Sequence, residues 1–203
     1  MNSLQHTFGN IDIYLFDQLL KGCFDQCQAI LDIGCGGGRN IFYFLRQGCN
    51  VFGIDQSAEA VAAVQQLAAA LAPALPRDHF QQAEADQLPH DDASFDLVIS
   101  SAVLHFAQDE AHFDRMVREA WRVLQPGGFF FARLASDIGI ESLVHSLGNR
   151  RYLLPDGSQR FLVNEAMLLN YSRELGGTLF EPVKTTNVQN LRCMTTWCLQ
   201  KKK

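Results

Sequence analysis

From residue 29 onward, short apolar runs alternate with longer stretches in which apolar residues recur every three or four positions. Runs of the first kind suit buried strands and stretches of the second kind suit amphipathic helices, so the rhythm is that of crossover units on a mostly parallel sheet. Residues 29–33 are the first such run and end in glycines, and 40–47 follow with helical spacing up to Gly48. Residues 50–54 read as a second strand. Ser57 then caps an alanine-rich helix over 58–71, closed by Pro73 and Pro76. A weak third strand (79–83), a strong fourth (95–100) and a helix over 109–124 come next. Pro126, Gly127 and Gly128 punctuate the chain before a fifth strand over 129–134.

Beyond residue 137 the pattern loosens. Residues 138–147 carry helical spacing, whereas 148–163 mix arginines and aromatics around the turn signal Pro155-Asp156-Gly157 and read as a lid insertion or a small hairpin. Asn164 caps a helix running to 175, Gly176 and Gly177 end it, and 178–184 with 192–199 read as a closing pair of strands. Residues 1–28 form an N-terminal helical cap. No linker or internal repeat divides the chain, so 1–203 is expected to be one domain.

Composition narrows the partners. The chain has 203 residues, 47% hydrophobic and 19% charged, as in an ordinary globular domain, and no apolar run reaches the roughly 18 to 20 residues of a membrane span. A formal charge of −5 gives no general attraction to phosphate backbones, so neither nucleic acid nor membrane is expected as a partner, and a small molecule is. The first ten residues lack the basic and apolar regions of a secretion signal, which points to a cytoplasmic protein. The six cysteines then read as reduced thiols, and their spacing offers no four-ligand metal site.

The segment Ile30-Leu31-Asp32-Ile33-Gly34-Cys35-Gly36-Gly37-Gly38-Arg39-Asn40 sets a glycine-rich turn between the first strand and the first crossover helix. In open parallel sheets a ligand sits beyond the carboxyl ends of such strands, where glycines let it approach the main chain. The pattern departs from the dinucleotide fingerprint, because Arg39 stands where the last glycine belongs. Asp32, two residues before Gly34, would repel a pyrophosphate and favour a cation. Asp55 ends the second strand, where a carboxylate accepts the two hydroxyls of a ribose, and Asp86 follows the third, beside the same cleft, where its oxygen accepts an adenine amino group. S-adenosylmethionine, with an ammonium, a sulfonium and no phosphate, suits such an acidic surround.

These residues resemble class I S-adenosylmethionine-dependent methyltransferases, closest to the subgroup that includes the ubiquinone and menaquinone biosynthesis enzymes. The resemblance covers about residues 29–135. It runs through the glycine loop, Val51 to Val61, Ala85-Asp86-Gln87-Leu88-Pro89, Phe95-Asp96-Leu97-Val98-Ile99-Ser100 and Arg122-Val123-Leu124-Gln125-Pro126-Gly127-Gly128. It implies an α/β, Rossmann-like three-layer sandwich with a seven-stranded mostly parallel sheet of order 3-2-1-4-5-7-6, strand 7 antiparallel. It also implies S-adenosyl-L-methionine as cofactor, held by Asp32, Gly34, Cys35, Gly36, Gly38, Asp55, Gln56, Ala85, Asp86, Gln87 and Ser100. The reaction expected is methyl transfer to a small-molecule acceptor by direct in-line displacement.

His105, just past the fourth strand, is the first candidate for a base or an acceptor contact, with a packing role as the alternative. Tyr14 is a candidate roof over the cofactor and acceptor, and Arg151 and Arg160 are candidates to recognise an anionic acceptor. Three other readings stand beside this one: a nicotinamide oxidoreductase, a non-catalytic S-adenosylmethionine-binding module serving a partner protein, and a nucleic-acid base methyltransferase. Arg39 and Asp32 count against the first. Ser100-Ser101-Ala102-Val103, where amine-modifying base methyltransferases carry Asn or Asp before Pro-Pro and an aromatic, counts against the last.

Overall fold

The computed structural model describes residues 4–203, so the first three residues of the expected N-terminal cap lie outside the described residues. Five parallel strands form the centre of the sheet: β1 (Ala29–Ile33), β2 (Asn50–Asp55), β3 (Phe80–Gln82), β4 (Phe95–Ser101) and β5 (Leu124–Ser136). Next in the chain, β6 (His145–Gly148), β7 (Arg151–Leu153) and β8 (Gln159–Phe161) form a separate small sheet, and β9 (Gly177–Leu179), β10 (Lys184–Val188) and β11 (Arg192–Lys201) complete the main one. The spatial order β10-β11-β5-β4-β1-β2-β3 is the order 3-2-1-4-5-7-6. In it β11 is the seventh strand, antiparallel to β5, and β9 and β10 share the sixth place on its other edge. One continuous strand was expected over 178–184. The chain instead breaks between β9 and β10 around Pro182, which has no N–H to give to a ladder.

Alternating side chains divide the core between the two faces of the sheet. Leu31, Val98, Phe130 and Trp197 pack under α5 (Glu110–Val123) and α6 (Glu165–Glu174), through Phe113, Val117 and Leu168. Ile30, Val51, Ile99 and Phe131 pack on the other side under α2 (Ile13–Leu20), α3 (Phe42–Arg46) and α4 (Ala58–Leu71), through Leu15, Phe44 and Val64. The result is the three-layer sandwich. The expected caps Ser57 and Asn164 are in place, accepting from the N–H groups of Ala60 and Met167, and Asp109 caps α5 by accepting from His112. Ahead of α2, α1 (Leu4–Phe8) sets Phe8 against Phe16 and Tyr43, with ring centroids 4.7 and 5.0 Å apart.

Residues 138–147 do not form the expected helix. Gly139 takes φ +85°, isolated turns follow, and β6 (His145–Gly148) already begins within the segment. With β7 (Arg151–Leu153) and β8 (Gln159–Phe161) it makes a small antiparallel sheet that occupies the place of the expected lid. Its inner end is core rather than flap: Phe161, Leu162 and Val163 are fully buried, and Phe161 stacks on Phe113 at 4.9 Å. Among the described residues no helix is long and apolar enough to cross a membrane.

Candidate cofactor site

The carboxyl ends of β1, β2, β3 and β4 open into a cavity of about 480 Å³, within the range of small-ligand sites. Gly34, Asp55, Gln56, Ala85 and Asp86 line it, as do Glu84, Val103, Phe106, His112, Arg115 and Met116. The glycine turn is built for a close approach. Gly34 has φ +68°, and a Cβ there would lie 2.3 Å from Cγ2 of Val103. Gly36, at φ +51°, faces open space, with nothing within 4 Å of where its Cβ would be. The N–H groups of Gly34 and Cys35 both donate to the carbonyl of Ile54, at 2.8 and 2.9 Å, which binds the turn to the end of β2.

Asp55 is held at the rim. Its Oδ2 accepts from the N–H of Gly36 at 2.9 Å and its Oδ1 from the N–H of Ser57 at 2.9 Å. Each oxygen keeps a lone pair for a further donor, so a pair of adjacent hydroxyls finds two fixed acceptors there. Asp86 accepts from Nε of Arg115 at 3.1 Å and lies 3.7 Å from Nε2 of His112.

The other cofactor candidates lie behind the cavity wall. Asp32 is buried, and neither of its oxygens has a hydrogen-bond partner. Burial raises its pKa to about 8, against a lowering by Arg39. The orphaned carboxyl next to the glycine turn is a buried polar group that the protein itself leaves without a partner. Gly38 serves packing, since a Cβ there would meet Leu67 at 2.7 Å and Val64 at 3.0 Å. Cys35 and Ser100 are buried, with the Ser100 hydroxyl unpartnered, and Gln87 sits in the loop after β3 outside the cavity lining.

His105 is buried and does not itself line the cavity. Its Nδ1 accepts from the main-chain N–H of Ala135 at 3.2 Å, which leaves the ring proton on Nε2 and makes that nitrogen a donor. Burial, with Arg160 and Arg133 nearby, lowers its pKa to about 4. The ring is therefore neutral near pH 7, with Nδ1 engaged by the main chain and Nε2–H left to donate. Tyr14 is not among the residues that line the cavity: it stacks under the Arg133 guanidinium, 5.1 Å from the ring centre, and bonds Thr186. Arg151 donates to the carbonyl of Ala107 at 3.4 Å. Arg160 sits 4.9 Å over the ring of Phe106 at the cavity mouth.

Three features escaped the sequence. Asp12, the cap of α2, is buried and takes a 2.8 Å bond from Arg133, which ties the N-terminal segment across the end of β5. Glu119 accepts from the N–H of Leu88, while Arg122 donates to the carbonyls of Leu88 and His90, so α5 clasps the loop that carries Asp86. His112, Arg115 and Met116 form the far wall of the cavity, and their helical spacing, one turn apart on α5, was the available signal.

Strand order, glycine turn and two rim carboxylates define the class I methyltransferase architecture. The family model for a methyltransferase domain matches residues 31–132, and the chain belongs to that family. It is 35% identical over 109 residues to a malonyl-[acyl-carrier protein] O-methyltransferase of Enterobacter lignolyticus, covering 53% of this chain and 39% of that protein. It is 31% identical over 163 residues to a ubiquinone biosynthesis O-methyltransferase of Pseudomonas aeruginosa, covering 73% and 64%. The chain therefore spans less than two thirds of the length of these curated relatives. A solved SAM-dependent methyltransferase structure from Methanosarcina mazei superposes with a TM-score of 0.71 at 22% identity, over 91% of this chain and 97% of that one.

Proposed function

We propose that the chain is an S-adenosylmethionine-dependent methyltransferase acting on a small-molecule acceptor. The observation that carries this reading is Asp55, fixed by two main-chain N–H groups beside an open glycine cradle, with a lone pair on each oxygen for a ribose diol. The acids Asp55, Glu84 and Asp86 give the cavity a surround that suits a cation without phosphate. Asp86 is the acceptor for the adenine amino group. When bound, the sulfonium supplies an activated methyl whose thioether leaving group needs no proton.

What this chain contributes is alignment of donor and acceptor, an effect worth roughly 7 to 11 kcal/mol in well-oriented systems. Val103 and Phe106 wall the cavity next to Gly34, and His105 behind them offers a donor hydrogen rather than a base. Arg160 over Phe106, with Arg151 in the adjoining strand, gives the mouth a positive rim, so the acceptor is anionic. Replacing Arg151 and Arg160 together is expected to raise the acceptor KM; unchanged turnover would remove the anionic acceptor. The cofactor reading is tested by calorimetry with S-adenosylmethionine and S-adenosylhomocysteine. Micromolar binding that Asp55→Ala abolishes is expected, and no binding to the native chain would overturn the proposal.

A further inference from the structure

The far wall of the cavity carries more charge than a bare contact to adenine requires. Arg115 and His112 lie three residues apart on α5 and converge on the same oxygen of Asp86: Oδ2 is 3.1 Å from Nε of Arg115 and 3.7 Å from Nε2 of His112. His112 is itself held in place. Its N–H donates to Oδ1 of Asp109 at 2.7 Å, and its Nδ1 accepts from the N–H of Gln108 at 3.2 Å. A ring whose Nδ1 accepts carries its proton on Nε2, the nitrogen nearer Asp86. Oδ1 of Asp86 has no partner among the described residues, and Asp86, His112 and Arg115 all line the cavity.

We infer that Arg115, supported by His112, is a positioning residue that fixes Asp86 for selective recognition of a purine carrying an exocyclic amine. The inference rests on the cofactor reading above and extends it to specificity. A carboxylate on a loop has two rotatable bonds to order when it meets a ligand, and a donor already seated on one oxygen removes part of that cost. It also leaves the other oxygen as a pure acceptor, which rewards an N–H and gains nothing from a C–H. Arg115 is more than half exposed, so its attraction for Asp86 contributes little to stability, and its effect belongs in ligand discrimination.

The test compares two ligands by calorimetry: S-adenosylhomocysteine and its 6-deamino analogue, which has hydrogen at purine C6. The native chain is expected to prefer the amine by about ten- to a hundredfold, the usual range for a hydrogen bond to a charged acceptor. Arg115→Met is expected to cut that ratio by about two- to fivefold while leaving affinity for the analogue unchanged. Arg115→Lys, which keeps a cation in reach, should restore part of it. Equal weakening of both ligands by Arg115→Met would assign Arg115 a purely structural role and overturn the inference, as would an unchanged ratio or a native chain with no preference. Asp55→Ala, which acts at the ribose, is expected to abolish binding of both ligands alike, and a native chain that binds neither ligand removes the cofactor reading together with this one.

Discussion

Gly34 is the residue with least freedom to change. Its φ of +68° disfavours any L side chain, and Cγ2 of Val103 already stands 2.3 Å from where a Cβ would go. Gly34→Ala is therefore expected to cost about 1 to 3 kcal/mol of stability through strain, read in a denaturant titration, and to weaken S-adenosylhomocysteine at least tenfold as the turn shifts. Asp32 makes a prediction in pH. Its folded pKa, raised to about 8 by burial, lies above the ordinary value of 3.8, so between those limits the folded chain holds a proton that the unfolded chain has released. Stability should fall as pH rises through that window, by up to about 1.4 kcal/mol per unit, and level off above it. Asp32→Asn removes the ionisation, so the variant is expected to gain on the native chain between pH 5 and about 8 and to match it near pH 4. Parallel melting curves across pH for both proteins would rule the account out.

At the scale of elements, α5 does more than cover one face of the sheet. Arg122 donates to Leu88, His90, Asp92 and Glu119, and Glu119 takes the N–H of Leu88, so the loop between β3 and β4 hangs from the last turns of this helix. Arg122→Ala leaves those carbonyls and Glu119 without their donor and is expected to cost about 1 to 3 kcal/mol, with a severalfold loss of cofactor affinity through Asp86. Limited proteolysis should show new cleavage between residues 86 and 94; an unchanged digest with unchanged affinity would deny the coupling. The helix itself was legible as a 3.6-residue period, and so were β1, β2 and β4 as apolar runs, because each buries a face that only one periodicity supplies. The clasp was not legible, since nothing in the spacing of Leu88 and Arg122 says that a helix end meets a loop 34 residues upstream. The failure at 138–147 has the same root: apolar residues at helical spacing were present, but Gly139 took a left-handed turn and the next residues found partners in a second sheet. Of the site, the glycine turn and both rim acids stood in local motifs. The far wall and the His105 tautomer depend on long-range contacts.

For the whole molecule, the cavity draws its walls from the ends of β2 and β4, the loop after β3 and the start of α5, which are distant in sequence and adjacent only in the folded chain. A ligand that needs all of them binds the folded state alone, so its affinity adds to global stability as about 2.7 kcal/mol at a hundredfold excess over Kd. In a domain of this size that corresponds to a rise in Tm of about 5 to 10 °C. S-adenosylhomocysteine is expected to give that shift in the native chain and none in Asp55→Ala at the same concentration. Hydrogen exchange should locate the added protection at residues 34–38, 55–57, 83–87 and 102–108. The small sheet of β6, β7 and β8 has no residue in the cavity wall and is expected to exchange at its native rate. Protection spread evenly over both sheets would mean that the ligand stabilises the fold from somewhere other than this cavity, and a shift that survives Asp55→Ala would point the same way.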